Sequence, residues 1–216
     1  MAKRARLEVD ERRAQLLTLG LAIFSERSYD EVSIDDIAKA AGVSKGLLYH
    51  YFPTKRDFYV AALRETSRDL IAQTIGVDTG KDSERGERVR RGLTTYLDFV
   101  ERRGGAYVAL MRGGIGSDPE IAAVLEETRV AILEHIVAFL PPGMDGPLAT
   151  TALRGWIGFV EAASIDWVAR RSVTLEQIVE LAHAALFDVL MRAAAITHGL
   201  ATPVLYPQDA GAMRGA

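Results

Sequence analysis

The chain has 216 residues, 49% of them hydrophobic, no cysteine and a formal charge of −3, which allows one large domain or two small ones with a sizeable core. Disulfides, thiolate metal ligands and a cysteine nucleophile are excluded. No apolar run reaches the ~18 residues of a membrane span, and the charged start MAKRARLEVDERRAQ has no apolar signal core, so a soluble cytoplasmic protein is expected.

Nearly every segment has helical period, and alternating β-branched runs bounded by turns are missing. The first helix is expected from about Asp10 to Arg27, with Ala14, Leu17, Leu21 and Phe24 as one apolar stripe. Ser33 caps a second helix, Ile34–Ala41, whose first turn holds Asp35 and Asp36, where the helix dipole favours negative charge. Gly42 ends it with a residue that tolerates a left-handed turn. Ser44 caps a third helix, closed by Pro53. Thr54, with Asp57 three residues on, opens a fourth that runs to about Gln73. The Gly-, Asp- and Ser-rich stretch Gly76–Gly86 reads as a seam. Beyond it, helices are expected at Glu84–Arg103, Ala106–Arg112, Pro119–Leu140, Pro147–Arg170 and Leu175–Ile196, about nine in all. The tail, 199–216, has Gly and Pro and no period, and is expected to be irregular.

The stretch Gly42–Phe58, GVSKGLLYHYFPTKRDF, places two short helices around a glycine turn, the outline of a helix-turn-helix. Ile37, Ala38 and Ala41 line one face of the first of them, Val43 tucks in from the turn, and Leu48 and Tyr51 continue the inner face. Ser44, Lys45, Gly46, Tyr49 and His50 are left outward. They are hydroxyls, a cation and rings able to reach phosphates and base edges, with a glycine that admits close approach. Lys55 opens the fourth helix, where its ammonium and free N–H groups suit a phosphate. Charge agrees: residues 1–56 carry ten Lys/Arg against eight Asp/Glu, while 57–216 carry sixteen against twenty-one. A nucleic-acid contact is therefore permitted at the N-terminal end and disfavoured elsewhere.

The run IDDIAKAAGVSKGLLYHYFPTKRDF resembles the DNA-binding segment of the tetracycline-repressor (TetR/AcrR) family; the motif resemblance covers about Ala14–Leu63. It implies that the third helix enters the major groove of double-stranded operator DNA. Ser33 and Lys55 would then contact phosphates, and Ser44, Lys45, Gly46, Tyr49 and His50 would face the groove. Two positions depart from the family pattern. Ser28 stands where a glycine is usual, which would cost roughly 1 kcal/mol if that backbone were left-handed. Leu47 replaces a small or polar residue and either meets a thymine methyl or is simply exposed.

The resemblance also implies a ligand-binding and dimerisation domain in the rest of the chain. Gly155, Gly158, Ala162 and Ala163 put small residues on the eighth helix. Ile178, Leu181, Leu186, Val189 and Leu190 wrap widely around the ninth, as expected of helices with more than one neighbour. A four-helix bundle made by two copies supplies those neighbours; a monomeric core with the same pattern is the alternative. Aromatic and polar residues set in apolar helices, Tyr96, Tyr107, Met111, Arg112, His135, Trp156, Glu161 and Trp167, are the candidates for a pocket.

Catalytic signals are weak. Glu180 and His183 give one Glu-x-x-His where a di-iron bundle needs two, and Gly113, Gly114 and Gly116 have neither a preceding strand nor a Walker lysine. No metal and no cofactor is expected. The expected architecture is all-α: a helix-turn-helix DNA-binding domain (1–56), helix four (54–73) as connector, and a larger helical ligand-binding and dimerisation domain (57–198). The expected function is that of a homodimeric, ligand-responsive transcriptional regulator, a repressor released from a palindromic operator by a small molecule. The alternatives are a DNA-binding regulator controlled by a protein partner, and a helical-bundle enzyme or metal protein.

Overall fold

The computed structural model describes residues 2–75, 85–112, 114–141 and 144–200. Among them every regular element is a helix: α1 (Ala2–Glu26), α2 (Ile34–Ala40), α3 (Lys45–Tyr51), α4 (Lys55–Ile75), α5 (Arg85–Arg112), α6 (Pro119–Ala138), α7 (Pro147–Arg170) and α8 (Leu175–Thr197), with a single 3-10 turn at Gly114–Ser117. Most of the expected seam and all of the tail beyond residue 200 lie outside the described residues. Nine helices were expected, and the described residues show them in eight elements, because the two expected on either side of Arg103–Ala106 are α5, whose backbone leaves helical geometry at Gly104 (φ 31°, ψ −107°) and divides it there into two helical segments.

The short helices owe their limits to their caps. The Ser33 hydroxyl accepts from the Asp36 N–H while the Asp36 carboxylate accepts from the Ser33 N–H at 2.9 Å, a reciprocal capping box that fixes α2. Gly42 is left-handed (φ 63°), as the turn requires. Ser44 accepts from the Leu47 N–H and starts α3, and Thr54 and Asp57 make a second reciprocal box at the head of α4. Ser28 is not left-handed. Its N–H and hydroxyl both donate to Glu31 at 2.8 Å, so serine carries no backbone strain there.

The N-terminal core gathers Leu16, Leu17, Val32, Ile37, Ala38, Leu48, Phe52, Phe58 and Ala62. Of the expected apolar stripe of α1, Leu17 is buried and Phe24 packs half-buried against the core, Ala14 is exposed, and Leu16, not among the expected residues, is buried beside Leu17. The side chain of Leu21 lies outside the described residues. At Gly20, α1 lies directly against Phe58 of α4. A Cβ there would stand 2.2 Å from the Phe58 ring, which is fully buried and packed edge-on against Phe52.

α4 belongs to two cores at once. Phe58 and Ala62 point into the N-terminal core. Tyr59, Val60 and Leu63 pack with Leu110 of α5 and with Ile121 and Val124 of α6. Ion pairs reinforce this second contact. Arg56 donates two hydrogen bonds to Asp118, at 2.7 and 2.6 Å, and one to Glu120 at 2.9 Å. Arg64 reaches Glu127 at 3.1 Å. Asp118 also caps α6 through its first N–H groups, and the Arg56 guanidinium holds the carboxyl down at about 2. α7 and α8 pack on each other and on α5 and close the larger domain.

Gly20→Ala should lower the stability of the chain by roughly 1–3 kcal/mol through overpacking against Phe58, outweighing the ~1 kcal/mol that alanine gains in helix propensity. Urea unfolding measures it. The double variant Gly20→Ala with Phe58→Leu should recover part of the loss, and a single variant more stable than the wild type would contradict the close approach.

Candidate functional site

α3 presents two faces of opposite character. Leu48 is fully buried and Tyr51 half-buried on the inner side, while Ser44, Lys45, Gly46, Leu47, Tyr49 and His50 are all exposed, Tyr49 by 45%. Leu47 stands out among the polar groups as an exposed apolar side chain. The Lys45 ammonium rests on Asp35 of α2 at 2.5 Å with both groups solvated, so a polyanion can exchange for the carboxylate at little cost. The His50 ring lies edge-on to Tyr51, with centroids 5.3 Å apart. Gly46 is not imposed by the fold: the nearest atom a Cβ would meet is the Ser44 hydroxyl at 3.9 Å.

The two groups expected to hold phosphates are engaged within the chain. The Ser33 hydroxyl donates to the Asp36 carboxylate at 2.8 Å as part of its cap. Lys55 corrects the expectation of a free cation. Its ammonium donates to the Tyr29 and Val32 carbonyls at 2.8 and 2.9 Å and lies 3.9 Å from the centre of the Tyr29 ring. It closes the α1–α2 connection: both carbonyls lie in the turn after α1, where the Tyr29 carbonyl also accepts from the Val32 N–H at 3.4 Å, and a lysine at the start of α4 is within reach of both.

An apolar cavity of about 420 Å³ runs through the larger domain, between α4, α5, α6, α7 and α8, and touches Phe24 and Ser25 of α1. Six of the eight pocket candidates stand on its wall: Tyr96, Tyr107, Met111, His135, Trp156 and Glu161. The other two do not. Arg112 is exposed at the end of α5. Trp167 is buried in the core and donates its indole N–H to the Val173 carbonyl at 3.0 Å, under the Arg171 guanidinium, so it fastens the turn from α7 to α8. Trp156 also has a structural task, donating to the Ala182 carbonyl at 2.8 Å.

The wall carries few polar groups, and most are tied to each other. The Tyr96 and Tyr107 hydroxyls meet at 2.6 Å, with the buried Ser164 hydroxyl 3.4 Å from the first of them. Burial pushes the Tyr96 phenol up, and the Tyr107 phenol well above its ordinary value, so both stay neutral. Arg129 pairs with Glu161 at 2.8 Å. His135 is held below its usual range by burial and, less strongly, by Arg88. Sequence reasoning missed Phe24, Tyr59, Thr66, Ser67, Arg103 and Arg129, all of which line the cavity. The one signal available was at Arg103, the last residue before the Gly104–Gly105 break.

The residues expected at the dimer interface divide. Gly155, Gly158, Ala162 and Leu181 are exposed, Leu181 by 56%, and among the described residues, beyond their own helix backbone, nothing lies within 4 Å of where a Cβ would stand on either glycine. Ile178 and Leu186, by contrast, are 5% and 2% exposed and lie in the protomer's own core, and Val189 is half-buried against it. They correct the expected interface, because periodicity on α8 reports burial without saying which neighbour supplies it. Glu180 is held by Arg90 at 2.6 Å on the outside of the domain.

Comparison with known proteins gives one consistent answer. Residues 16–62 match the family described as bacterial regulatory proteins, tetR family, and residues 85–192 match the tetracyclin repressor-like C-terminal domain. The HTH-type transcriptional activator FasR of Mycolicibacterium smegmatis is 32% identical over 134 residues, covering 61% of this chain and 59% of that protein. The HTH-type transcriptional regulator EthR of Mycobacterium tuberculosis is 28% identical over 112 residues, 51% of this chain and 50% of that one. The matched region thus spans half to three-fifths of these curated relatives. A tetR-family transcriptional regulator from Streptomyces coelicolor superposes with a TM-score of 0.70 at 36% identity, over 87% of this chain and 83% of that one.

Lys55→Ala should destabilise the N-terminal domain by about 1–3 kcal/mol, since it leaves two carbonyls short of a charged donor. Thermal unfolding of the DNA-free protein reads this directly. An unchanged Tm would show that the clamp contributes nothing and return Lys55 to the role of a free cation.

Proposed function

The chain belongs to the TetR family of bacterial regulatory proteins, and from that premise we propose that it is a homodimeric, ligand-responsive regulator of transcription acting on double-stranded DNA. Its expected mode is repression, relieved when a small molecule fills the cavity. The observation that carries this reading is the double membership of α4, which packs on α3's domain with one face and walls the cavity with another.

In this reading α3 enters the major groove. Tyr49 and Lys45 reach base edges, Ser44 and His50 flank them, Leu47 meets a thymine methyl, and Gly46 leaves room for the DNA backbone. Phosphates are held by the N-terminal N–H groups of α4, by the third donor of Lys55, and near the α2 cap at Ser33. Two recognition helices must be about one DNA turn apart, ~34 Å, or a multiple of it, so the operator is a pseudo-palindrome. The second copy docks on the open face formed by Gly155, Gly158 and Ala162 of α7 and Leu181 of α8. Small residues there admit a helix of the partner at close range. DNA as the partner places the protein in the cytoplasm, and the relatives, named as regulators, support a role other than catalysis.

A ligand relieves repression only by binding the DNA-incompetent shape more tightly than the DNA-bound one. By linkage, operator DNA weakens the ligand by the factor through which ligand weakens DNA. A regulator answering only to a protein partner has no use for a cavity of this size, which is the observation that favours a small effector.

The test begins with selection of bound sequences from a random duplex pool, which should enrich a two-fold symmetric site. On that site Tyr49→Ala should cost roughly 1–3 kcal/mol, about fivefold to 150-fold in Kd, and much less on random DNA. No enrichment would overturn the reading, and equal losses on both DNAs would make Tyr49 a backbone anchor.

A further inference from the structure

The cavity wall says something about the chemistry of its occupant; this inference rests on reading the cavity as the effector site. Among the lining residues are three arginines, Arg88, Arg103 and Arg129, and a single carboxylate, Glu161. Glu161 is committed to Arg129 at 2.8 Å. Arg88 stands over the Phe139 ring at 4.7 Å. Arg103 is different. It is half-buried and lies flat on Phe99, its guanidinium 3.7 Å from the ring centre, and among the described residues no carboxylate comes within ion-pair distance. Asp69, its through-space partner, is exposed on the outer side of α4.

A guanidinium withdrawn from water and left without an acid is costly unless something answers its charge. Burial is also the largest influence on Arg103 and pulls its pKa down, with neighbouring Arg102 acting in the same direction and distant Asp69 opposing them. On the adjoining stretch of α4, Thr66 and Ser67 also face the cavity, and hydroxyls are donors of the kind an oxyanion accepts. The break at Gly104 lies immediately after Arg103 and turns Tyr107 and Met111 back onto the same cavity. Lining residues on α4 run from Tyr59 to Ile75, which at 1.5 Å per residue is about 24 Å of wall, with Ala62, Leu63, Leu70 and Ile75 as its apolar part.

We propose that the cavity takes an anionic amphiphile, an elongated apolar body lying along α4 with one acidic head group on Arg103, beside Thr66 and Ser67. The head is a carboxylate or a phosphate, both of which match a guanidinium in two hydrogen bonds. The body gains affinity from each methylene it buries.

The experiment uses the full chain, stripped of bound lipid, and follows displacement of the neutral dye phenylnaphthylamine. The competitors are hexadecanoate, hexadecyl phosphate, hexadecanol and octanoate. The wild type should bind at least one of the two long anions tenfold or more tighter than hexadecanol, and the tighter anion identifies the head group. Octanoate should bind far more weakly than hexadecanoate, by roughly fourfold for each buried methylene lost. Arg103→Gln should remove the preference for the anion while leaving hexadecanol binding unchanged, and Arg103→Lys should keep part of it. Unaltered hexadecanol binding also shows that the variant is folded. The proposal is overturned if hexadecanol competes as well as both anions on the wild type, or if Arg103→Gln retains the full preference. Operator titration with the bound anion is a separate readout. Binding that depends on Arg103 but leaves DNA affinity unchanged upholds the anion site and overturns the effector reading alone.

Discussion

One stiff helix has to satisfy two cores. α4 fills the N-terminal core with Phe58 and Ala62, and one residue along from Phe58 it joins the larger domain through Tyr59 and Val60. An α-helix offers little bending between neighbouring residues unless proline, a bulge or a glycine pair weakens it, and α4 has none of these. Displacement at one core is therefore passed to the other. Arg56, bonded to Asp118 and Glu120, and Arg64, bonded to Glu127, tie the same helix to α6 by charge. The aromatic contacts Phe24–Tyr59 and Tyr29–Tyr59, at 4.7 and 5.0 Å, extend this rigid joint to the loop that Lys55 clamps.

The N-terminal domain was readable from sequence because its limits are written in local chemistry. Ser33, Gly42, Ser44, Pro53 and the Thr54–Asp57 pair each act within four residues of their own position, and inside and outside separate on helices only two turns long. Lys55 shows where that legibility stops. Its helix was placed correctly, yet its ammonium is bonded to carbonyls 26 and 23 residues earlier in the chain, a distance over which periodicity carries no information. Ile178 and Leu186 teach the same lesson on α8. Their spacing announces burial, but the protomer's own helices supply it. Aromatic and polar residues set in apolar helices located six positions on the cavity wall, Tyr96, Tyr107, Met111, His135, Trp156 and Glu161. Trp167 fits that description equally well and instead holds a turn. Arg103 was marked in sequence only by the two glycines after it, which announce the end of a helix but not that the segment beyond them folds back on the same cavity.

The cavity itself is a departure from close packing that the fold accommodates by spending its polar groups on one another. Tyr96, Tyr107 and Ser164 share hydrogen bonds and Arg129 holds Glu161, so most polar groups of the wall are answered within the chain, while among the described residues the Thr74 hydroxyl has no hydrogen-bond partner and Arg103 no ion pair. Charge then becomes the selective feature of the wall.

The central claim is that occupation of the cavity moves α4 and, with it, the spacing of two α3 helices in a dimer. The chain has no cysteine, so a single Lys39→Cys on the exposed end of α2 accepts one spin label per protomer. The distance between the two labels, measured by pulsed electron paramagnetic resonance, tests the claim most directly. A narrow distribution should be found with operator DNA, and a distribution shifted by several ångströms when a ligand that releases the DNA is bound. An unchanged distribution under saturating ligand, with DNA affinity nevertheless lost, would contradict the account.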